Sequence, residues 1–257
     1  RHGDPFRDHS VVDEALGLLA REDDPVAHFD ALNARAMVGA WMGSTEGFVR
    51  YMERAYAVAL DARRKDLQTI AAQELAKAHL VALELDEAEL LITRALELAG
   101  ESGSVRARMS ATLSYGWFLR LKGELDAAET VLEEVRATAE ELGLEPAIAG
   151  ARLKLGWIAR RNGDLRKSER LFREAVRLTS GRGDRGLLPD YQAALATTLV
   201  ELGKIEEAER LALDANAHAV PEDTACLVFA NTALAGVRAA QGRDDEAEEI
   251  YRNAIEL

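Results

Sequence analysis

The chain has 257 residues, 48% hydrophobic, 5% aromatic and 30% charged, with a formal charge of −13. With 5 Pro and 19 Gly it is neither collagen-like nor a Pro/Gly-rich disordered polymer; no apolar run approaches the roughly 20 residues that span a bilayer, and no charged-then-apolar leader opens it. The acidic balance argues against nucleic acid or an anionic membrane as partner, and the single cysteine, Cys226, rules out an internal disulfide and fits a reducing, cytoplasmic setting.

Taken in chain order, the predicted elements repeat. A half repeat over 1–22 opens at a turn centred on Gly3, and six helical hairpins follow over about 24–64, 65–103, 104–143, 145–180, 187–219 and 221–257. Their turns carry Gly43, Leu83, Gly123, Gly163, Gly203 and Gly242, each 39 or 40 residues after the last. Seven residues before these turns stand Ala36, Ala76, Gly116, Gly156, Ala196 and Ala235, all small. Five after stand Phe48, Ala88, Ala128, Ser168, Ala208 and Ala247; nine after, the mostly large Met52, Ile92, Leu132, Phe172, Ala212 and Tyr251. Small residues at both crossing points let two antiparallel helices approach, and the large residue is expected to pack against the next repeat. Apolar residues at i, i+3, i+4 and i+7, as in Leu125, Ala128, Leu132 and Val135, give helical periodicity.

Glycine at the turn takes a left-handed conformation cheaply. Acidic residues just after it meet the positive end of the next helix. Asp4-Pro5 and Asp24-Pro25 read as an N-cap followed by a first helical residue, and Pro146, Pro189 and Pro221 mark further starts. No stretch alternates as a strand. The expectation is an all-α chain of about thirteen helices, one unpaired and two per repeat, forming a single domain over 1–257.

The order small residue, turn glycine, Ala, large apolar, Ala resembles the tetratricopeptide repeat (TPR), most closely at Leu155-Gly156, Gly163-Asp164-Leu165 and Phe172-Arg-Glu-Ala175. The likeness runs from Gly3 to Leu257 and departs from the family's usual period of about 34. The longer period is similar to the MalT-like TPR regions of large bacterial regulators. The resemblance implies a right-handed α-α superhelix whose first helices line a concave groove. It also implies a non-catalytic scaffold that binds a protein or peptide segment there, within a bacterial signalling or transcription-regulatory protein. A groove that senses a small inducer is the alternative; a buried aromatic pocket would favour it.

Groove positions follow from the offset to each turn. Six residues before it stand Met37, Lys77, Trp117, Trp157, Thr197 and Gly236; ten before stand Asn33 and Gln73, among others; Trp41 lies two before. Trp117 and Trp157 occupy the same place in adjacent repeats, each followed three residues on by an arginine, Arg120 and Arg160, with Arg161 beside the latter. That spacing puts each Trp and Arg on one helical face, and Trp and Arg are frequent interface anchors. The candidate site is therefore Trp41, Gln73, Lys77, Trp117, Arg120, Trp157, Arg160 and Arg161, receiving an acidic, partly apolar segment across the third and fourth repeats. The plainer alternative is that the tryptophans pack between helices.

Residues 150–177 hold nine Arg/Lys against three Asp/Glu. Arg166, Arg170, Arg173 and Arg177 share one face. The favoured reading is a solvated face partly paired with Glu169 and Glu174; the alternative is docking to an acidic domain or to phosphate. Asp244, Asp245, Glu246, Glu248 and Glu249 make an acidic end, read as solvated.

Gly181-Arg-Gly-Asp-Arg-Gly186 matches G-x-G-x-x-G but follows a helix, so it reads as a loop, and the Arg182-Gly183-Asp184 within it has no secretory context. His2, His9, His28, His79 and His218 lack metal-ligand spacing, and Cys226 is expected to be buried. No phosphate loop, nucleophile elbow or zinc-protease motif occurs, so neither catalytic residues nor a cofactor or metal is expected. Val11, Val12, Leu16 and Leu19 at one end, and Ile250, Tyr251, Ala254 and Ile255 at the other, lack a polar capping helix. Either the protein continues beyond them, as Arg1 in place of Met suggests, or the ends pair as a homodimer.

Overall fold

Periodicity near 3.6 interrupted by single left-handed residues produces helices alone. The computed structural model describes residues 10–19, 24–41, 44–181, 186–220 and 223–256; Gly3, Asp4-Pro5, Gly43, Arg182-Gly183-Asp184 and Pro221 lie outside them. Thirteen helices occur among the described residues, and none is in a strand. They are α1 (Ser10–Leu19), α2 (Pro25–Trp41), α3 (Thr45–Asp61), α4 (Lys65–Val81), α5 (Leu85–Ser102), α6 (Val105–Lys122) and α7 (Leu125–Glu141). The remainder are α8 (Glu145–Arg161), α9 (Leu165–Gly181), α10 (Leu188–Glu201), α11 (Ile205–His218), α12 (Thr224–Ala240) and α13 (Asp244–Glu256).

The chain divides into two compact units, Arg1–Glu124 and Leu125–Leu257. In the first, α2–α3 and α4–α5 form hairpins, α1 packs on α2, and α6 packs on α5 and α4. Its core holds Phe29, Leu32, Phe48, Met52 and Leu75. In the second, α8–α9, α10–α11 and α12–α13 form hairpins, α7 packs on α8, and α10 and α12 also touch each other. There the core is mostly alanine, Ala193, Ala196, Ala208, Ala212 and Ala215 among them, around Phe172 and Leu199.

The turns explain the period. Residues with positive φ stand at Arg63, Leu83, Gly103, Gly123, Gly143 and Gly163, each 20 after the last, and again at Gly203 and Gly242. Only alternate members of this set were legible as repeat markers; Arg63, Gly103 and Gly143 close the second helix of each repeat. Behind Gly163 the Asp164 amide donates to the Ala159 carbonyl at 2.9 Å, and behind Leu83 the Glu84 amide donates to His79 at 2.9 Å. These six-to-one bonds satisfy the last carbonyls of a helix and require the left-handed residue. A helix of 17 or 18 residues plus such a turn gives the half-period of 20.

The expected crossing columns are buried throughout: Ala36, Ala76, Gly116, Gly156, Ala196 and Ala235 before the turn, and Ala88, Ala128, Ser168, Ala208 and Ala247 after it. A Cβ on Gly156 would stand 2.4 Å from Phe172 Cε1, so here the small residue is obligatory. Buried Ser168 keeps a polar partner, its hydroxyl 3.3 Å from that of Thr198. Tyr251 departs from the expectation for its column. It is 40% exposed, because no described helix packs on the outer face of α13. Asp24 caps α2 as expected, accepting from the Val26 and Ala27 amides at 3.0 and 3.1 Å ahead of Pro25.

Candidate functional site

In the first unit the candidate residues lie on the first helices of their repeats. Trp41 ends α2, and its side chain lies outside the described residues. Gln73 is buried, and its amide donates to the Ala107 carbonyl at 2.9 Å, tying α4 to the start of α6. Lys77 Nζ lies 2.6 Å from Glu74 Oε1, one helical turn back. Trp117 and Arg120 stand one turn apart on α6, both half-buried. On α2, His28 Nε2 and Asn33 Oδ1 are buried without a hydrogen-bond partner among the described residues. Sequence reading placed Asn33 on the groove and passed over the surroundings of Tyr51. The Arg35, Arg50 and Arg54 guanidiniums lie 4.9, 5.1 and 5.4 Å from that ring, and Arg35 also donates to Asp13 at 3.0 Å. Arg50 and Arg54 flank Tyr51 in sequence, but Arg35 comes from α2 and only the packing brings it there.

In the second unit Trp157 and Arg160 come together. Trp157 on α8 is half-buried. It meets Phe172 of α9 edge-on at 5.3 Å and Phe229 of α12 at 5.6 Å, reaching past α10 to a helix two repeats away. It also packs against the alanine-rich core of this unit. Much of this ring therefore serves as packing, and the remainder is presented on the first-helix face. The Arg160 guanidinium lies 5.4 Å from the Trp157 ring centroid, and its Nε donates to Glu201 Oε1 of α10 at 2.7 Å, with Nη2 on the same oxygen. A guanidinium held between an aromatic ring and a carboxylate is rigid and largely neutralised. Arg161 is exposed and has no ion-pair partner among the described residues. Phe229 is the member of this cluster with no signal in the groove register, and Glu201 stands at a groove position without its pairing to Arg160 being legible. Glu201 sits two before its turn, as Arg161 does, so the repeat register carried a signal for it; Phe229 lay outside the offsets considered.

Two further groups shape the electrostatics of this unit. Burial pushes the Asp190 carboxyl up to about 6, with Asp223 adding repulsion and a hydrogen bond with Cys226 opposing the shift. Burial, with Asp190 and Asp223 nearby, raises the Cys226 thiol to about 12, so this buried cysteine is a poor nucleophile at neutral pH. Burial disfavours the charged form of Glu169, but hydrogen bonds from Lys204 and Arg173 outweigh it and hold the carboxyl below its usual range. Among the described residues no group of three or more His, Cys, Asp or Glu could hold a metal ion, and no helix is long and apolar enough to cross a membrane.

Comparison with known proteins places this arrangement. No curated protein matches the chain in sequence. Among solved structures, NprR in complex with its cognate peptide NprX is similar with a TM-score of 0.71 at 18% identity, over 97% of this chain and 71% of that one. A Rap protein complexed with competence and sporulation factor gives 0.71 at 13% identity, over 98% and 83%. BtubC from P. vanneervenii gives 0.60 at 18%, over 88% and 90%. At these identities the likeness is one of fold. The model of the MalT-like TPR region matches residues 76–257, more than two thirds of the sequence, and the chain therefore belongs to the MalT-like TPR family.

Proposed function

We propose that this chain is a non-catalytic module that binds a peptide or protein segment on the faces of its first helices, within a bacterial signalling or transcription-regulatory protein of the cytoplasm. The observation that carries the reading is the Trp157–Arg160–Glu201 cluster. A half-exposed indole and a guanidinium are locked in place before any partner arrives, which lowers the ordering cost of binding. Exposed Arg161 beside it supplies an uncompensated charge for an acidic side chain of the segment. In the other unit, Lys77 of α4 and Trp117 and Arg120 of α6 lie on first helices, and Gln73 holds α4 against α6. The fold shared with NprR, crystallised with its cognate peptide, supports a peptide over a small inducer. The exposed Tyr251 and Ile255 of α13 offer a surface for end-to-end pairing.

Panning a random peptide library against the chain tests the reading. Enriched peptides should bind in the micromolar range and lose at least about tenfold in affinity with Trp157→Ala or Arg160→Glu/Arg161→Glu, as hot-spot anchors do, while the helical circular dichroism stays unchanged. Peptides that bind these variants as well as the parent chain would place the site elsewhere.

A further inference from the structure

We infer that the outward face of α9 is a second docking surface, separate from the first-helix faces, and that it receives an acidic helical segment of another protein. Three residues after each turn, the second helices begin with Glu46, Asp86, Asp126, Glu206 and Asp245, but α9 has Arg166. The first turn of a helix favours negative charge, and α9 has no acidic residue there. Five repeats follow the local rule and one inverts it. Departures from local rules of this kind are expected at functional sites.

Asp164 supplies one negative charge at the start of α9, but the other acids leave three of its arginines unpaired among the described residues. The expected pairing of its arginines with Glu169 and Glu174 is only partly made. Glu169 is taken by Arg173 and Lys204, at 2.7 Å each, and Glu174 lies 3.1 Å from Arg152 of α8. Arg173 is further bound by Glu207 of α11 at 2.6 Å. Asp164, the remaining acid of this stretch, caps the Lys167 amide at 2.9 Å. Arg166, Arg170 and Arg177 are left exposed, with no ion-pair partner among the described residues, in a chain of −13. At about 100° and 1.5 Å per residue they lie within about 40° of one another over roughly 16 Å of helix.

An acidic helix with carboxylates at i, i+4 and i+11 presents the same spacing, and each pair can form a bidentate guanidinium–carboxylate contact. The chain's own α13 carries Asp245, Glu249 and Glu256 at that spacing, but Arg252 interrupts the row where Arg173 stands on α9. Charge complementarity therefore favours a different protein over a second copy.

The test uses the whole chain and an alanine-based helical peptide with Glu at i, i+4 and i+11, at low salt. The peptide should bind, weaken as salt is added, and lose about tenfold in affinity when its Glu residues become Gln, the scale of three exposed pairs. Arg166→Asp should weaken binding while leaving Tm unchanged or raised, since it restores the acid that other repeats carry. Arg166→Gln/Arg170→Gln/Arg177→Gln removes the same three pairs and should cost a similar, about tenfold, loss while keeping the helical signal. A lowered Tm for Arg166→Asp would show that the arginine serves the fold, and overturn the inference. So would equal binding by the triple variant, or binding of inorganic phosphate without the peptide. A dimer in sedimentation equilibrium that dissociates in the triple variant would make a second copy the occupant and overturn the choice of partner.

Discussion

The α4–α5 and α8–α9 hairpins are one motif built with different volumes. At equivalent positions the first has Ala76, Ala88 and Ile92, the second Gly156, Ser168 and Phe172, and all six are buried. The larger ring of Phe172 occupies the space where a Cβ on residue 156 would lie; the residues at these two positions in the other hairpin are Ala76 and the smaller Ile92. Between these two hairpins, a larger residue on the second helix goes with a smaller one on the first. The turns differ in the same way. Leu83 adopts φ +60° where Gly163 adopts +81°, so the packing of the two helices imposes the left-handed residue whether or not it is glycine. Leu83 is also 67% exposed and gains little from burial in return for its strain.

Four measurements would break or sharpen this comparison. Phe172→Ala should cost about 3–5 kcal/mol in urea denaturation, against about 1 kcal/mol for Ile92→Val at the equivalent site; equal losses would mean the two crossings are filled alike.

The two hairpins lack a counterpart to Asp190, which sits at the place of Ile70 in α4 and Gly150 in α8. Its folded value of about 6 exceeds the free value of 3.8. The folded state thus prefers the protonated acid. That contribution is complete below about pH 4 and is lost as pH rises through about 6, by up to about 3 kcal/mol. Asp190→Asn should flatten the pH profile between those values and raise stability at pH 7. An unchanged slope would show that the carboxyl ionises freely.

Gly156→Ala should cost about 2 kcal/mol by overpacking, despite alanine's better helix propensity. Gly156→Ala/Phe172→Ile, which copies the Ala76/Ile92 pair, should recover most of it; a purely additive double mutant would refute the volume account. Last, Leu83→Gly should stabilise the chain by about 1 kcal/mol, and Gly163→Leu should destabilise it by a similar amount. Thermal melts of the two variants should move in opposite directions.

The repeat was legible because it is written in local terms. Gly123, Gly163, Gly203 and Gly242 announce their turns, and Ala36 through Ala235 keep one register. Leu83 could be placed only by counting, and Arg63 gives no sign in the sequence of its left-handed backbone, since arginine carries no preference for it. The candidate site was legible by position and not by partner. Trp157 and Arg160 could be set on one face from their spacing alone. Phe229, 72 residues on, and Glu201, 41 residues beyond Arg160, join them only because α10 and α12 close on α8.

Sequence by itself therefore determined the helices, the turns and the crossing columns, because these depend on periodicity, backbone preference and side-chain size over a few residues. Tertiary structure decided how the charges were shared. Glu169 was expected to serve the α9 arginines and serves Lys204 as well as Arg173; Glu174 turns to Arg152; Arg160 finds Glu201. Long charged side chains reach partners on neighbouring helices as readily as on their own, so pairing follows from how close those helices come, and helical spacing alone does not contain that distance.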